Sequence, residues 1–226
     1  MESTLIHRIA EVRSKIIHAC ERSGRDPSTV TLSLASKTVD PLIIRDAFHA
    51  GVTVFGENKS QEFLEKLPSL SDLPIEWHFI GQLQSNKVKS ILPHISLIHS
   101  LDRLSLAEEI QKQADRLDIT VPVLVEINSS GEANKGGVPL GEAIQFIDSL
   151  KKFHRIKIQG LMTVAVDGNE EEIRSCFRKT ANLLKEVKSK ISGHTLSMGM
   201  SGDFEMAIEE GSTLIRVGSI VFGKRS

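Results

Sequence analysis

Short apolar runs alternate along this chain with longer stretches in which apolar residues recur every three or four positions. Runs of strand length predict buried strands, and the three-to-four spacing predicts helices with one buried face. No linker or low-complexity segment interrupts the alternation. The predicted strands are Val30–Ser36, Thr53–Gly56, Glu76–Gly81, Leu97–Leu101, Pro122–Asn128, Ile158–Val164, Thr195–Gly199 and Leu214–Gly218. Strands that alternate with helices are typical of parallel βα units, and about eight of them predict a closed barrel.

The predicted helices fill the gaps between these strands. The clearest covers Glu170–Ile191, where apolar residues at three- and four-residue spacing form one buried stripe. Another, from about Ser3 to Ser23, precedes the first strand and stops at Gly24 and Pro27, which are typical helix-ending residues. We expect this helix to cover the bottom or the side of the barrel. The predicted fold class is therefore α/β, a single (β/α)8 TIM-type barrel over residues 1–226 with an extra N-terminal helix.

The composition is that of an ordinary globular domain. With 226 residues, of which 40% are hydrophobic, the chain can bury one barrel-sized core. A net charge of −1 provides no general attraction for nucleic acid or anionic lipid, and no apolar stretch fits a signal peptide or a membrane span. The only two cysteines, Cys20 and Cys176, fall in predicted helices and form no metal-binding motif. We expect a cytoplasmic protein with no nucleic-acid partner, no membrane contact and no metal.

Lys37 follows the first predicted strand, at the end of a barrel where catalytic and binding residues are found. Strand alternation places Ser33, Ala35 and Lys37 on the side that faces the barrel axis. The small residues beneath the lysine leave space for a ligand. Partial loss of water at the barrel mouth favours the neutral amine, which is the nucleophile toward a carbonyl group. The alternative is a lysine that simply extends from the strand end into solvent.

Arg216 lies within the last predicted strand, which should be apolar because parallel strands are covered on both faces. A charge in that position needs a partner. The guanidinium group can serve as the partner of a pyridine nitrogen in a bound cofactor. The alternative is an internal ion pair with a strand carboxylate such as Glu126.

A segment rich in glycine and serine, Ser197–Asp203, follows the seventh predicted strand. We expect a short helix at Phe204–Gly211 with Ser201 as its N-cap. Backbone N–H groups at a helix start bind phosphate, and barrels of this class often bind phosphate after strands seven and eight, where Gly218 also lies. The alternative is an ordinary turn, since glycine and serine are common in loops.

Several short motifs, in order over nearly the whole chain, resemble those of the pyridoxal phosphate homeostasis proteins, which are relatives of the N-terminal barrel of alanine racemase. One small departure is Lys59-Ser60, where an aromatic and an aliphatic residue are more usual. The matching motifs are Ala35-Ser-Lys37-Thr, Phe55-Gly-Glu-Asn58 with Gln61-Glu62, Trp77-His-Phe-Ile-Gly81-Gln-Leu-Gln-Ser-Asn86-Lys87, Gly160-Leu-Met162, Ser197-Met-Gly-Met-Ser201, and Arg216-Val-Gly218 with Phe222-Gly223.

The resemblance implies a role for each matching residue. It implies that Lys37 forms the internal aldimine with pyridoxal 5′-phosphate, and that Ser201 and the backbone around Gly218 hold the phosphate group. It implies that Arg216 approaches the pyridine nitrogen. The same resemblance implies that Asn58, His78 and Met162 lie near the cofactor, and that the protein is a monomer.

The composition also bears on catalysis, because the chain contains no tyrosine. Racemases built on the related barrel take one acid/base group from a tyrosine on a second domain, and this chain has neither. An arginine at the pyridine nitrogen also opposes protonation of the ring, which makes the cofactor a weaker electron sink. We therefore expect a protein that holds pyridoxal 5′-phosphate in the cell and passes it to apo-enzymes, without efficient turnover.

Two alternatives remain at this point. The first is a weak racemase or another enzyme acting on amino acids, with Lys37 or His78 as general base. The second is a phosphosugar-binding barrel in which Lys37 forms a Schiff base for an aldol reaction; that protein would be colourless, whereas one holding pyridoxal 5′-phosphate would be yellow.

Overall fold

The computed structural model describes residues 2–132 and 134–223, and its centre is a closed barrel of parallel strands. The strands follow the order β4-β3-β2-β1-β9-β8-β7-β5, and pairing of β5 with β4 closes the ring. The short strand β6 pairs outside this ring with the end of β5. The strands are β1 (Thr31–Ala35), β2 (Val54–Glu57), β3 (Glu76–Phe79), β4 (Leu97–Leu101), β5 (Val121–Asn128), β6 (Val138–Pro139), β7 (Ile156–Met162), β8 (Thr195–Ser197) and β9 (Leu214–Val217).

Helices surround the barrel and connect consecutive strands. Short 3₁₀ turns extend several of them, among them Lys188–Lys190, which follows the longest connecting helix. Among the described residues no helix is both long and apolar enough to cross a membrane. The helices are α1 (Glu2–Arg22), α2 (Pro41–His49), α3 (Ser60–Lys66), α4 (Val88–Ile91), α5 (Leu104–Leu117), α6 (Ala143–Leu150), α7 (Glu170–Val187), α8 (Phe204–Glu209) and α9 (Ser219–Phe222).

The predicted fold class is confirmed. Each predicted strand corresponds to one strand of the ring, with ends that differ by at most two residues. The pattern did not predict β6, because two residues are too few to show a period. The predicted helix Glu170–Ile191 ends as an α-helix at Val187. The prediction that Ser201 is the N-cap of α8 is wrong, because the cap position is Asp203. A turn precedes the helix, and in it the Asp203 N–H donates to the carbonyl oxygen of Met200.

The apolar core lies mostly between the barrel and its helices. Leu34 on β1 is fully buried on that outer side, as the alternation in the first strand predicts. A smaller apolar cluster, centred on Leu97, Leu124, Met162 and Leu214, fills part of the barrel interior. The rest of the interior is polar, and this polar part carries the candidate site.

Helix α1 packs on the side of the barrel rather than across its bottom. It lies against α8, α9 and α2. Its Arg13 donates to the carbonyl oxygens of Ala50 and Gly51, at 3.3 and 2.8 Å. The apolar face of α1 includes Ile9 and Val12, which are buried. The extra helix therefore supports the wall of the barrel that contains β1 and β9.

Gly160 permits the contact between β7 and β8. It has φ of 154°, and a Cβ atom there would lie 1.8 Å from the carbonyl oxygen of Thr195. The register between β5 and β7 also shifts just before this residue. A side chain at this position is therefore incompatible with the observed strand spacing.

Candidate functional site

A cavity of about 330 Å³ opens at the carboxyl ends of β1 and β9. Lys37 and Gly218 both border it, together with Ala35 and Ser219. Its size falls within the range of about 300–1,000 Å³ that is typical of small-molecule sites. The structure thus brings the predicted nucleophile and the predicted phosphate-binding backbone to one space.

Lys37 is half-buried and lies in a tight turn. The Val39 N–H donates to the carbonyl oxygen of Ser36 at 3.0 Å, which closes the turn around Lys37 and Thr38. Thr38 has φ of 63°, in the left-handed region that branched side chains avoid. Such a conformation costs about 1–2 kcal/mol and persists only where surrounding contacts hold it.

Glu57, Glu62 and Lys66 form an ion cluster that contacts the backbone of this turn. The Lys66 ammonium donates to the carbonyl oxygen of Ser36 at 2.7 Å, to Glu57 Oε1 at 2.8 Å and to Glu62 Oε1 at 2.5 Å. The Ser36 hydroxyl donates to Glu57 Oε1 at 2.7 Å, and the Thr38 N–H donates to Glu62. Burial raises the pKa of Glu57, against the opposing effects of Lys66 and Ser36.

This ion cluster was not predicted from the sequence. Glu62 and Lys66 have the four-residue spacing of an ordinary surface pair on a helix, so their spacing carries no signal of burial. The apolar character of the neighbouring positions in α3 is the only hint in the sequence.

The backbone at Gly218 is held by Ser201. The Gly218 N–H donates to Ser201 Oγ at 3.1 Å, and the Ile220 N–H lies 3.5 Å from the same oxygen. A Cβ atom at position 218 would meet the carbonyl oxygen of Ala35 at 3.1 Å, so glycine keeps β1 and β9 close at the cavity. Backbone N–H groups thus converge with a hydroxyl at the start of α9, which is a suitable arrangement for an anionic oxygen.

Arg216 lies two residues before Gly218 on β9 and is buried inside the barrel. Its Nη1 donates to Ser197 Oγ at 2.5 Å and its Nη2 donates to the carbonyl oxygen of Thr163 at 3.0 Å. Burial lowers the pKa of Arg216 to about 10, so the group remains protonated at neutral pH. The donors of Arg216 go to Ser197 and Thr163 rather than to Glu126, and the charges of Asp203 and Glu126 act on it only electrostatically, so the ion-pair alternative is wrong.

A chain of hydrogen bonds connects Arg216 with the opposite end of the barrel. His99 Nδ1 lies 3.0 Å from Ser197 Oγ, His99 Nε2 lies 3.0 Å from His78 Nδ1, and His78 Nε2 lies 3.2 Å from Glu76 Oε1. Burial lowers the pKa of His99 well below its usual value, and the neighbouring His78 and the charge of Arg216 add to the effect. When His99 is neutral with its proton on Nε2, its Nδ1 accepts from the Ser197 hydroxyl and its Nε2 donates to His78 Nδ1.

Glu126 on β5 is another titratable group inside the barrel. It is 9% exposed, and Gln82 Nε2 donates to its Oε2 at 2.8 Å. Burial, reinforced by the charge of Asp102, raises the pKa of Glu126 to about 7, and the charge of Arg216 opposes the rise. This carboxyl therefore changes its charge near neutral pH.

None of the remaining predicted site residues, Asn58, His78 and Met162, borders the Lys37 cavity. Met162 belongs to the apolar cluster inside the barrel, and His78 is part of the hydrogen-bonded chain to Arg216. Asn58 borders a neighbouring pocket together with Gln82 and other polar residues, and its buried Oδ1 has no hydrogen-bond partner. The structure therefore does not place Asn58 on the wall of the Lys37 cavity.

These residues fit pyridoxal 5′-phosphate. The amine of Lys37 suits its aldehyde, the N–H groups at Gly218 and Ile220 suit its phosphate, and the charge of Arg216 lies deeper on the same strand. Ser33, on the same face of β1 as Lys37, is fully buried, and its hydroxyl has no partner in the protein.

Comparison with known proteins gives a consistent result. The family model described as alanine racemase, N-terminal domain, matches residues 41–226. A pyridoxal phosphate homeostasis protein of Aquifex aeolicus is 46% identical and covers 96% of this chain and 97% of its own length. One from Pseudomonas aeruginosa is 38% identical and covers 99% of this chain and 96% of its own length.

A solved structure extends the comparison. PipY of Synechococcus elongatus PCC7942, solved with PLP bound, has a TM-score of 0.85 and 32% identity, and the match covers 97% of this chain and 100% of PipY. The resemblance inferred from the motifs is confirmed over nearly the whole chain. The chain therefore belongs to the pyridoxal phosphate homeostasis proteins, a family built on the barrel of the alanine racemase N-terminal domain.

Proposed function

We propose that this chain binds pyridoxal 5′-phosphate through a Schiff base on Lys37 and holds it in reserve for apo-enzymes. The observation that carries the proposal is the single cavity bordered by both Lys37 and Gly218. A reactive aldehyde and a phosphate group on one small molecule would reach both at once. Membership in the family and the PLP bound to PipY support this assignment.

The Lys37 amine forms the covalent bond. Its neutral nitrogen adds to the aldehyde carbon, a C=N bond forms, and the aldehyde oxygen leaves as water with the two amine protons. The turn at Ser36–Val39 directs the side chain toward the cavity, and the half-buried position limits the access of water. Addition of one water molecule reverses the reaction and releases the aldehyde together with the free Lys37 amine.

Gly218, Ile220 and Ser201 bind the phosphate in this proposal. Their N–H and hydroxyl groups converge at the start of α9, and they can provide hydrogen bonds to phosphate oxygens. Arg216 faces the ring nitrogen, and because it stays protonated it opposes protonation of that nitrogen. A bound cofactor supplies an aldehyde and a conjugated ring, and Arg216 reduces the ability of that ring to accept electrons.

The geometry favours storage over turnover. Of the two general bases considered, His78 uses both ring nitrogens in the chain from Glu76 to His99. Lys37, the other one, is held in the covalent bond unless an incoming amine displaces it. An assay of the purified protein against a panel of amino acids is expected to give turnover well below about 1 per second. A rate at or above that level would support the enzyme alternative instead.

The direct test is a visible absorption spectrum of the protein with pyridoxal 5′-phosphate, before and after borohydride, followed by mass spectrometry of digested material. We expect a yellow protein in which borohydride fixes the ligand on Lys37. Lys37→Ala should abolish the adduct. Lys59→Ala, at another lysine beside the barrel mouth, is the matched control and should label like the wild type. An adduct on another lysine, or none, refutes the proposal.

We also propose that the chain acts as a cytoplasmic monomer and passes its ligand directly to apo-enzymes. The reversible bond and the open cavity support transfer. Mixing the loaded protein with an excess of a PLP-dependent apo-enzyme should activate that enzyme faster than the ligand leaves the isolated carrier. Equal rates would show that the ligand is simply released into solution.

A further inference from the structure

Resting on the proposed role of Lys37, we propose that Glu57, Glu62 and Lys66 are positioning residues for that amine. None of the three borders the Lys37 cavity, so the ion cluster acts through the backbone on either side of Lys37. The ion cluster binds the carbonyl oxygen and the hydroxyl group of Ser36, and it binds the N–H group of Thr38.

The hydrogen-bond inventory of the ion cluster supports this role. An ammonium group has three donors, and the three donors of Lys66 face three acceptors, one of them the Ser36 carbonyl. Lys66 is only 6% exposed, so its side chain is fixed by packing as well as by its partners. A pair that served only to attach α3 to the barrel would not need to reach the peptide beside Lys37.

The conformation of Thr38 provides a second observation. A threonine at φ of 63° relaxes toward negative φ unless other contacts prevent it. The Thr38 N–H donates to the same Glu62 oxygen that accepts from Lys66, so one carboxylate joins the turn to the ion cluster. Loss of that oxygen would free the turn, and the Lys37 amine would then sample directions away from the aldehyde.

Glu62 allows a test that separates hydrogen bonding from folding, because its side chain is 21% exposed and a replacement there does not bury a new group completely. Glu62→Gln keeps an oxygen that can accept from both Lys66 and Thr38. Glu62→Met has a similar length but no oxygen. We expect Glu62→Gln to form the Lys37 adduct within about threefold of the wild-type rate, and Glu62→Met to be slower by at least about tenfold, since small misplacements of a reacting group cost that much or more.

Lys66→Met provides a second variant, with Lys190→Met as its control. Lys190→Met also removes an ammonium group that pairs with a carboxylate, that of Asp148. Neither Lys190 nor Asp148 borders the Lys37 cavity. Stopped-flow absorbance after mixing with pyridoxal 5′-phosphate gives the rate and affinity, and borohydride with mass spectrometry gives the fraction on Lys37. Thermal unfolding followed by circular dichroism checks that each protein is folded. Lys66→Met should lose rate and affinity together, whereas Lys190→Met should match the wild type.

The outcomes distinguish the two proposals. A wild-type protein without an adduct on Lys37 refutes the proposed function and, with it, the role of the ion cluster. Normal wild-type labelling with unchanged rates in Glu62→Met and Lys66→Met refutes the positioning role alone. Equal slowing of Glu62→Gln and Glu62→Met also refutes it, because the retained oxygen should preserve the turn.

Discussion

Glu126 makes the stability of this protein depend on pH in a specific direction. Its pKa is raised to about 7 in the folded protein, from 4.5 for an ordinary glutamate. Between these two values the folded state holds a proton that the unfolded chain has released. The stability linked to this group is therefore fully present below about pH 4.5 and is lost as the pH rises through about 7. The difference corresponds to about 3 kcal/mol in the free energy of unfolding.

Glu126→Gln keeps the shape of the protonated side chain and an oxygen for Gln82, but it cannot ionise. We expect wild type and variant to have similar stability at pH 4 and the variant to be more stable by about 3 kcal/mol at pH 8. Urea unfolding of ligand-free protein, followed by circular dichroism across this range, measures the difference. Glu186→Gln, which removes an exposed carboxylate, is the control and should parallel the wild type. Parallel curves for wild type and Glu126→Gln would falsify the assignment.

Two further predictions concern the barrel itself. Gly160→Ala should destabilise the fold by roughly 3–5 kcal/mol in urea unfolding, because its Cβ atom would collide with Thr195. Gly141→Ala, where nothing lies within 4 Å of the added atom, should be nearly neutral. Equal effects of the two substitutions would contradict this expectation. Nitrogen NMR of the imidazoles should find His99 neutral with its proton on Nε2 from pH 5.5 to 8, since burial lowers its pKa, and a titration of that ring in this range would be inconsistent with the hydrogen-bonded chain.

The sequence was sufficient for the architecture because the barrel strands are buried on both faces and stand out as short apolar runs. The position of Lys37 after the end of β1 and the interior position of Arg216 were also predictable, since alternation along β1 and a charge within an apolar strand are local signals. The predicted role of Ser201 as an N-cap was wrong, because a turn separates that residue from the helix α8. Its hydroxyl accepts from Gly218 instead.

The parts that could not be predicted depend on contacts between distant segments. Glu57 and Lys66 meet because α3 folds back onto β2, and nothing in their own spacing indicates burial. Similarly, His99 and Ser197 are 98 positions apart and become neighbours only when the barrel closes. A single sequence contains the residues of these networks without an indication of which residues pair.

The chain of hydrogen bonds from Glu76 to Arg216 crosses the inside of the barrel and begins at a carboxylate that is half exposed. Two imidazoles thus connect an accessible side chain with a buried guanidinium group. We expect substitutions at position 76 to adjust the electrostatic potential at Arg216 from a distance, while every residue that borders the Lys37 cavity stays the same.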